Sequence, residues 1–414
     1  MNRLAITRVE LNRKNFIAYI SLDEKRDFID FKLYPDDKEH LVGAVYIGRV
    51  EHVVSNIQAA FVKISPTQKC FLPLSEVKYA IFTKKQSDKK AISEGDELLV
   101  QVTKDAMKTK DPVVSTKLTL TGKYCVLTTG NNTLSVSKKL PEDLRTTQKD
   151  LLKSLCPDHL EYNYGIVLRT NSVCANEQDL KEDIVSMVSE YKSILDKSKY
   201  LSAYTRMYEP VPEYLRHLQT IRNFSVSDSS LNASEGGYDG IYTDIPKIYE
   251  QVTYFLPYLA KQGIVHFYED KMVSLATLYN IEGNVEKLLS RLVWLKSGAN
   301  IIIEQLETLT FIDVNSSKNT TFSKRGQDAV NLLINKEAAI EAARQIRLRN
   351  ISGMIIVDFI NMENNESEEE LISCLRKELQ KDIVPCQFID ITKLGLVEIT
   401  RKKISKSLKE IVDV

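Results

Sequence analysis

Two acidic segments flanking one long helical stretch hold the residues best suited to chemistry. One is TLTFIDVNSS, with Asp313 and Asn315; the other is GMIIVDFINM, with Asp358 and Asn361. Side chains alternate along a strand, so Phe311, Asp313 and Asn315 share one face and Ile312 and Val314 the other. DAVNLLINKEAAIEAARQIRLRN between them reads as a long helix, and GMIIVDFI as a buried strand. A β-α-β connection then lays the two strands side by side and brings both carboxylates to a common edge. Paired carboxylates suit Mg²⁺, which prefers oxygen ligands, keeps several waters and shares itself with a substrate phosphate. Such an ion can activate water and stabilise the charge on a phosphodiester under in-line attack. Spacing alone leaves a plainer reading open, since an Asp at a strand end commonly caps a turn. Asp358 is the less ordinary of the two. It follows Ile355, Ile356 and Val357 and precedes Phe359 and Ile360, and a carboxylate in such a run should be paired or metal-bound. No GxSxG, P-loop, GxGxxG or Cys-His nucleophile context occurs elsewhere.

The elements that must position these groups follow from the periodicity. GAVYIGRVEHVV, IQAAFVKI, KCFLPLSEV, ELLVQVTKDA and PVVSTKLTL are five short strands. That number, within about 80 residues, fits a small closed barrel of the OB type. Exposed aromatics on such barrels stack bases while flanking cations follow the backbone. Phe61, Phe71 and Lys110 are candidates, against the plainer reading that a strand Phe is core. Lys84, Lys85, Lys89 and Lys90 read as a solvated loop that can still add salt-sensitive affinity. Arg169-Thr170 ends the strand GIVLRT and could hold a phosphate by charge-assisted bonds; surface solvation is the alternative. The basic RKKISKSLK near the C-terminus is open between solubility and RNA contact.

The first 35 residues alternate as a β-meander. KYCVLTTGNNTLSVSKKL reads as two strands around a Gly-Asn-Asn turn, and PEDLRTTQKDLLKSL as a helix with Pro141 near its start. EQDLKEDIVSMVSEYKSILDKSKYL is a long amphipathic helix, and the Ser/Gly-rich DSSLNASEGGYDG is a loop or boundary. Residues 246–262 and 284–295 look helical, SEEELISCLRKELQK is a helix and FIDITKLGLVEITR a final strand pair. The class is α+β with several domains. The 414 residues suggest about three, with 43% hydrophobic content excluding wholesale disorder. No apolar run approaches the roughly 20 residues of a membrane span, and the N-terminus lacks a secretory h-region. Lys+Arg and Asp+Glu number 56 each, so a basic surface must be balanced by acidic surface elsewhere. Six cysteines fall singly, without a C-x-x-C pair, which argues against a zinc ribbon or disulfide framework and for reduced thiols in the cytoplasm.

At TLTFIDVNSS, EAARQIRLRNISGMIIVDFINM and LSRLVWLKSG the chain resembles the catalytic region of the ribonuclease E/G family, endoribonucleases acting on single-stranded RNA. The resemblance runs from near residue 1 to about residue 408, and GAVYIGRVEHVVSNIQAAFVKI with FLPLSEV is similar to the family's RNA-binding barrel. It implies an RNase H-like part in two segments (1–35 and 215–278) interrupted by an OB-fold, S1-type barrel (36–118). A 5′-sensor region (119–214) and a DNase I-like α/β catalytic subdomain (279–414) complete it. By the same resemblance, Asp313 and Asp358 hold Mg²⁺, with Mn²⁺ as a possible substitute. Asn315 orients the Asp313 side or the scissile phosphate. Phe61, Phe71 and Lys110 bind RNA, and Gly122, Val126, Lys138, Arg169 and Thr170 form a 5′-monophosphate pocket. The implied reaction is cleavage of A/U-rich RNA to a 5′-phosphate and a 3′-hydroxyl, in rRNA processing or mRNA decay.

Some residues depart from the family pattern. Its common D-F-I-D-M reads D-F-I-N-M here, so Asn361 replaces a carboxylate and lowers the charge of the site. Lys138 stands where many members have an Arg, and a lysine lacks the planar fork. The sequence ends at Val414 without the Cys-bearing zinc link and small domain of longer members. No zinc site and no zinc-linked dimer are expected, and the oligomeric state stays open. The competing function is a non-catalytic RNA-binding or ribosome-associated protein on the same scaffold, which Asn361 and Lys138 favour and retention of Asp313, Asn315 and Asp358 disfavours.

Overall fold

The computed structural model describes residues 2–36, 41–86, 91–106, 110–138, 140, 142–218, 238–316 and 324–413. Lys89, Lys90, Pro141 and the stretch 228–237 lie outside the described residues. Two compact units form: residues 1–37, 222–250 and 264–414 in one, and 38–221 with 251–263 in the other.

The first unit holds two sheets. The meander Asn2–Leu11, Lys14–Leu22, Phe28–Pro35 is antiparallel, and its first strand pairs parallel with Tyr238–Thr243, which is flanked by Val265–Phe267. The second sheet has six strands, in the spatial order Leu292–Trp294, Asn300–Gln305, Leu309–Asn315, Gly353–Asp358, Val397–Arg401, Cys386–Ile391. One face of it packs on the helices Lys324–Leu348 and Asn365–Leu379 through Ile301, Ile312, Val357 and Ile399 on the sheet and Ala338, Ala342, Ile346 and Leu375 on the helices. The row of alanines lets the long helix approach the sheet closely. That helix stops at Asn350, whose φ of 50° is left-handed. Ile351 N donates to Ile346 O at 3.0 Å and Asn350 N to Arg347 O at 3.1 Å, the paired closure of a Schellman end. The chain then turns directly into the strand that carries Asp358.

The second unit contains the barrel. Strands Val45–Val54, Ala59–Lys63, Lys69–Pro73, Val113–Ser115 and Glu97–Lys104 follow one another, and the first pairs with the last to close the ring. Ala60, Val62, Cys70, Leu72, Leu98 and Val100 fill it. Gly48 is required there: a Cβ would lie 2.5 Å from Val62 Cγ1 and 2.8 Å from Val100 Cγ2. Beside the barrel is a four-stranded sheet, Thr119–Thr121, Cys125–Thr129, Tyr164–Leu168, Leu134–Val136, backed by the helix Glu177–Ser198.

Several segments differ from the sequence expectation. PVVSTKLTL is not one strand. Its first part closes the barrel and its second joins the four-stranded sheet, because Gln101 Oε1 captures Thr119 N at 2.7 Å and Thr116 Oγ1 bonds Glu76 O. The strands around Gly-Asn-Asn do not pair with each other; Tyr164–Leu168 lies between them. Residues 246–262 break into two helices at Leu256, ahead of Pro257. The 284–295 helix ends at Leu289, and Leu292–Trp294 is a strand. The loop after Tyr79 contains the short strand Phe82–Lys84.

Candidate nuclease site

The β-α-β unit does what its pattern requires. Leu309–Asn315 and Gly353–Asp358 pair in parallel, and their register sets Asp313 directly opposite Asp358. Ile312, Val314 and Val357 point to the helix-covered core, so both carboxylates stand on the other face, half-buried. Asn315, two residues on, donates from Nδ2 to Asp313 Oδ2 at 2.8 Å and fixes the orientation of that carboxylate. Like charges directly opposite on paired strands destabilise a sheet, and a cation held between them removes that cost. Among the described residues no group of three or more His, Cys, Asp and Glu is placed to hold a metal. Two oxygen donors therefore fit an ion that keeps water and shares a substrate phosphate better than one caged by protein. Asn361 is exposed beyond the end of the Asp358 strand, and its carbonyl accepts from Asn331 Nδ2 at 3.0 Å.

On the barrel, Phe61 and Phe71 are register partners on its outer surface. Their rings meet edge to face with centroids 6.2 Å apart. The core reading of these phenylalanines fails, because Ala60, Val62, Cys70 and Leu72 take the interior. Lys69, which sequence reasoning missed, places its Nζ 4.7 Å from the Phe61 ring centroid and 3.7 Å from Asp111. Lys110 is exposed beside that Asp. An aromatic pair with one lysine over a ring and a second, exposed lysine next to that lysine's Asp111 partner can stack bases and follow a phosphate backbone.

The third group gathers at one end of the four-stranded sheet. Val136 and Leu168 are parallel partners, so Lys138, Arg169 and Thr170 emerge together. Ser137 Oγ lies 3.2 Å from Thr170 Oγ1, and Arg169 N donates to Tyr124 O at 2.8 Å. Val126 is half-buried on the adjacent strand. Burial pulls the Arg169 guanidinium below its ordinary range, opposed by Tyr258, Cys125 and Asp183. Asp183 is the second residue that sequence reasoning missed. Its carboxylate accepts from Lys123 N, Tyr124 N and Cys125 N at 2.9, 2.8 and 3.1 Å and so shapes the turn after Gly122. A Cβ on Gly122 would lie 2.8 Å from both Asp183 oxygens. Gly122→Ala should destabilise this unit by about 1–3 kcal/mol through overpacking, read as a lower midpoint of thermal unfolding; an unchanged midpoint would mean the turn yields freely.

A closed five-stranded barrel of OB-like form and a sheet with paired carboxylates suit a protein that acts on a polynucleotide strand. Comparison with known proteins agrees. The chain belongs to the ribonuclease E/G family, which matches residues 119–404, and is an endoribonuclease by class. It is 30% identical over 385 residues to ribonuclease G of Salmonella typhimurium, covering 90% of this chain and 75% of that protein. It is 28% identical to ribonuclease E of Haemophilus influenzae, over 97% of this chain and 42% of the relative. A chloroplastic ribonuclease E/G-like protein of Arabidopsis thaliana is 31% identical over 77% of this chain. Among the described residues no helix is long and apolar enough to cross a membrane.

Proposed function

We propose that the protein is a Mg²⁺-dependent endoribonuclease that cuts single-stranded, A/U-rich RNA and leaves a 5′-phosphate and a 3′-hydroxyl. The observation that carries this reading is the direct register of Asp313 with Asp358 on the open face of the sheet, with Asn315 bonded to one of them. Asp313 and Asp358 hold the ion, Mg²⁺ or Mn²⁺ in its place. When bound, it activates water and stabilises charge on the phosphodiester. Asn315 occupies one Asp313 oxygen and leaves the other to the ion. With Asn361 in place of a carboxylate, activity is expected to need more metal. In this reading the six-stranded sheet and its helices are the DNase I-like part and the five-stranded sheet is the RNase H-like part.

Phe61 and Phe71 stack bases, with Lys69 and Lys110 on the backbone. Phe61→Ala should weaken RNA binding in chelator by about 5- to 100-fold, and Lys69→Ala should flatten the dependence on salt by about one phosphate contact. Fluorescence anisotropy of labelled RNA at several salt concentrations measures both. Binding that is indifferent to Phe61 removes the barrel from the reading. Arg169, Thr170 and Lys138, over the Gly122 turn and beside Val126, recognise a 5′-monophosphate. Six free thiols suit a reducing compartment, and the cytoplasm is our placement, with RNA processing or decay as the role.

The test is a cleavage time course on a short A/U-rich RNA carrying a 5′-monophosphate or a 5′-hydroxyl, with Mg²⁺ and with chelator. Cutting only with Mg²⁺, faster on the monophosphate, is expected. RNA binding without cutting in any metal would overturn the reading in favour of a binding protein on this scaffold.

A further inference from the structure

The face that bears Asp313 and Asp358 also bears Trp294, the one tryptophan of the chain. Trp294 pairs with Asn300, and Asn300 with Asn315, so the three side chains form a row across the sheet. The next row is Leu292, Ile302, Asp313 and Asp358. Two strand spacings separate Trp294 from the Asn315 strand, roughly 10 Å, which is within reach of a nucleotide adjoining one held at the carboxylates. The indole is 67% exposed, an unusual state for the largest apolar side chain. The hairpin that carries it is tied down. Leu295 N donates to Ala299 O at 2.9 Å to close the hairpin, and Glu337 of the long helix accepts from Lys296 N at 2.6 Å.

Charge on the face is lopsided. On the far side of Asp358, the outer strands carry Glu398 and Asp390, with the exposed Lys393 in their hairpin turn. On the Trp294 side, the neighbours are Ile302, Asn300 and Leu292, with the exposed Lys296 in the hairpin turn. Glu304, one row further along, is paired with Arg291. A polyanion crossing the carboxylate pair meets two further carboxylates against one lysine on the far side, and an aromatic surface with a cation at its edge on the other. From this we infer that Trp294 is a substrate-contacting residue: it stacks a base of single-stranded RNA next to the nucleotide held at Asp313 and Asp358. The inference rests on the nuclease reading above and adds to it the direction in which the strand leaves the carboxylates.

The single tryptophan makes the test direct. Unlabelled single-stranded RNA is titrated into the full chain in chelator while tryptophan emission is followed, and anisotropy of labelled RNA is measured in parallel. The expected result is saturable quenching with the same midpoint as the anisotropy curve. Trp294→Ala should lower RNA affinity about 5- to 100-fold, while Trp294→Phe keeps most of it. An anisotropy isotherm without any emission change, or full affinity in Trp294→Ala, overturns this inference alone. An emission change that follows protein concentration without RNA, with dimers in sedimentation, overturns it in favour of a second copy on this face. Absence of RNA binding by anisotropy overturns it together with the nuclease reading.

Discussion

Asp313→Asn and Asp358→Asn should each lower RNA cleavage by about 10³-fold or more at saturating Mg²⁺, because a metal at such a site supplies several kcal/mol of transition-state stabilisation. The two losses should not add. Groups that act as one unit fail together, so the double variant should be little worse than either single one. Stability should move the other way. The carboxylates are direct neighbours across paired strands, and removing one of two opposed like charges relieves repulsion of roughly 0.2–1 kcal/mol. Each variant should therefore unfold at equal or higher denaturant in chelator while cutting almost nothing in Mg²⁺. The turn-cap interpretation predicts the reverse pattern, a less stable protein with cleavage intact. Measuring both quantities on the same preparations separates the two. Asn315→Ala is a milder case, since it removes only the bond at 2.8 Å that orients Asp313.

Much of this arrangement is legible in the sequence because its signals are local. IIV before Asp358, FIDV around Asp313 and the alanine-rich helix between them specify a β-α-β unit by period alone. Alternation in QAAFVKI and KCFLPL specifies barrel strands in the same way. What is not legible depends on contacts distant in sequence. LLSRLVWL reads as a continuing helix. It ends early because Ser290 is extended, with φ −65° and ψ 141°, and because Glu337, more than a helix length away in sequence, anchors the hairpin. That same contact turns Trp294 from a helix residue into an exposed aromatic on the carboxylate face. Lys69 becomes interesting only once the register sets Phe61 against Phe71. Asp183 lies on a helix some 60 residues beyond the turn whose amides it caps. No periodicity marks a carboxylate whose partners are mainly the backbone amides of a distant turn.

The six-stranded sheet also depends on a buried ion pair that spacing does not reveal, and breaking it should have the largest effect on stability. Arg401 ends the strand that pairs with the Asp358 strand. Its Nε donates to Asp382 Oδ2 at 2.8 Å, with the two side chains only 4% and 6% exposed. Nη1 of the same guanidinium reaches Asn350 Oδ1 at 2.7 Å and Ile351 O at 3.0 Å, the two residues that end the long helix. One side chain thus ties its strand and the turn at Asp382 to the helix terminus that precedes the Asp358 strand. Arg401→Ala leaves Asp382 buried without its cation and should cost about 3–5 kcal/mol. Arg401→Lys restores the charge but not the fork, so it should recover only part of that loss. The pairing argument makes a sharper demand: Arg401→Met combined with Asp382→Leu should be far more stable than Arg401→Ala, because no lone charge remains. Urea unfolding followed by tryptophan emission reads this sheet selectively, since Trp294 sits in it. Should Arg401→Ala unfold with the wild type, the guanidinium would be an ornament of the sheet; should the apolar pair be as unstable as Arg401→Ala, the loss would come from the Asn350 and Ile351 bonds and not from the buried carboxylate.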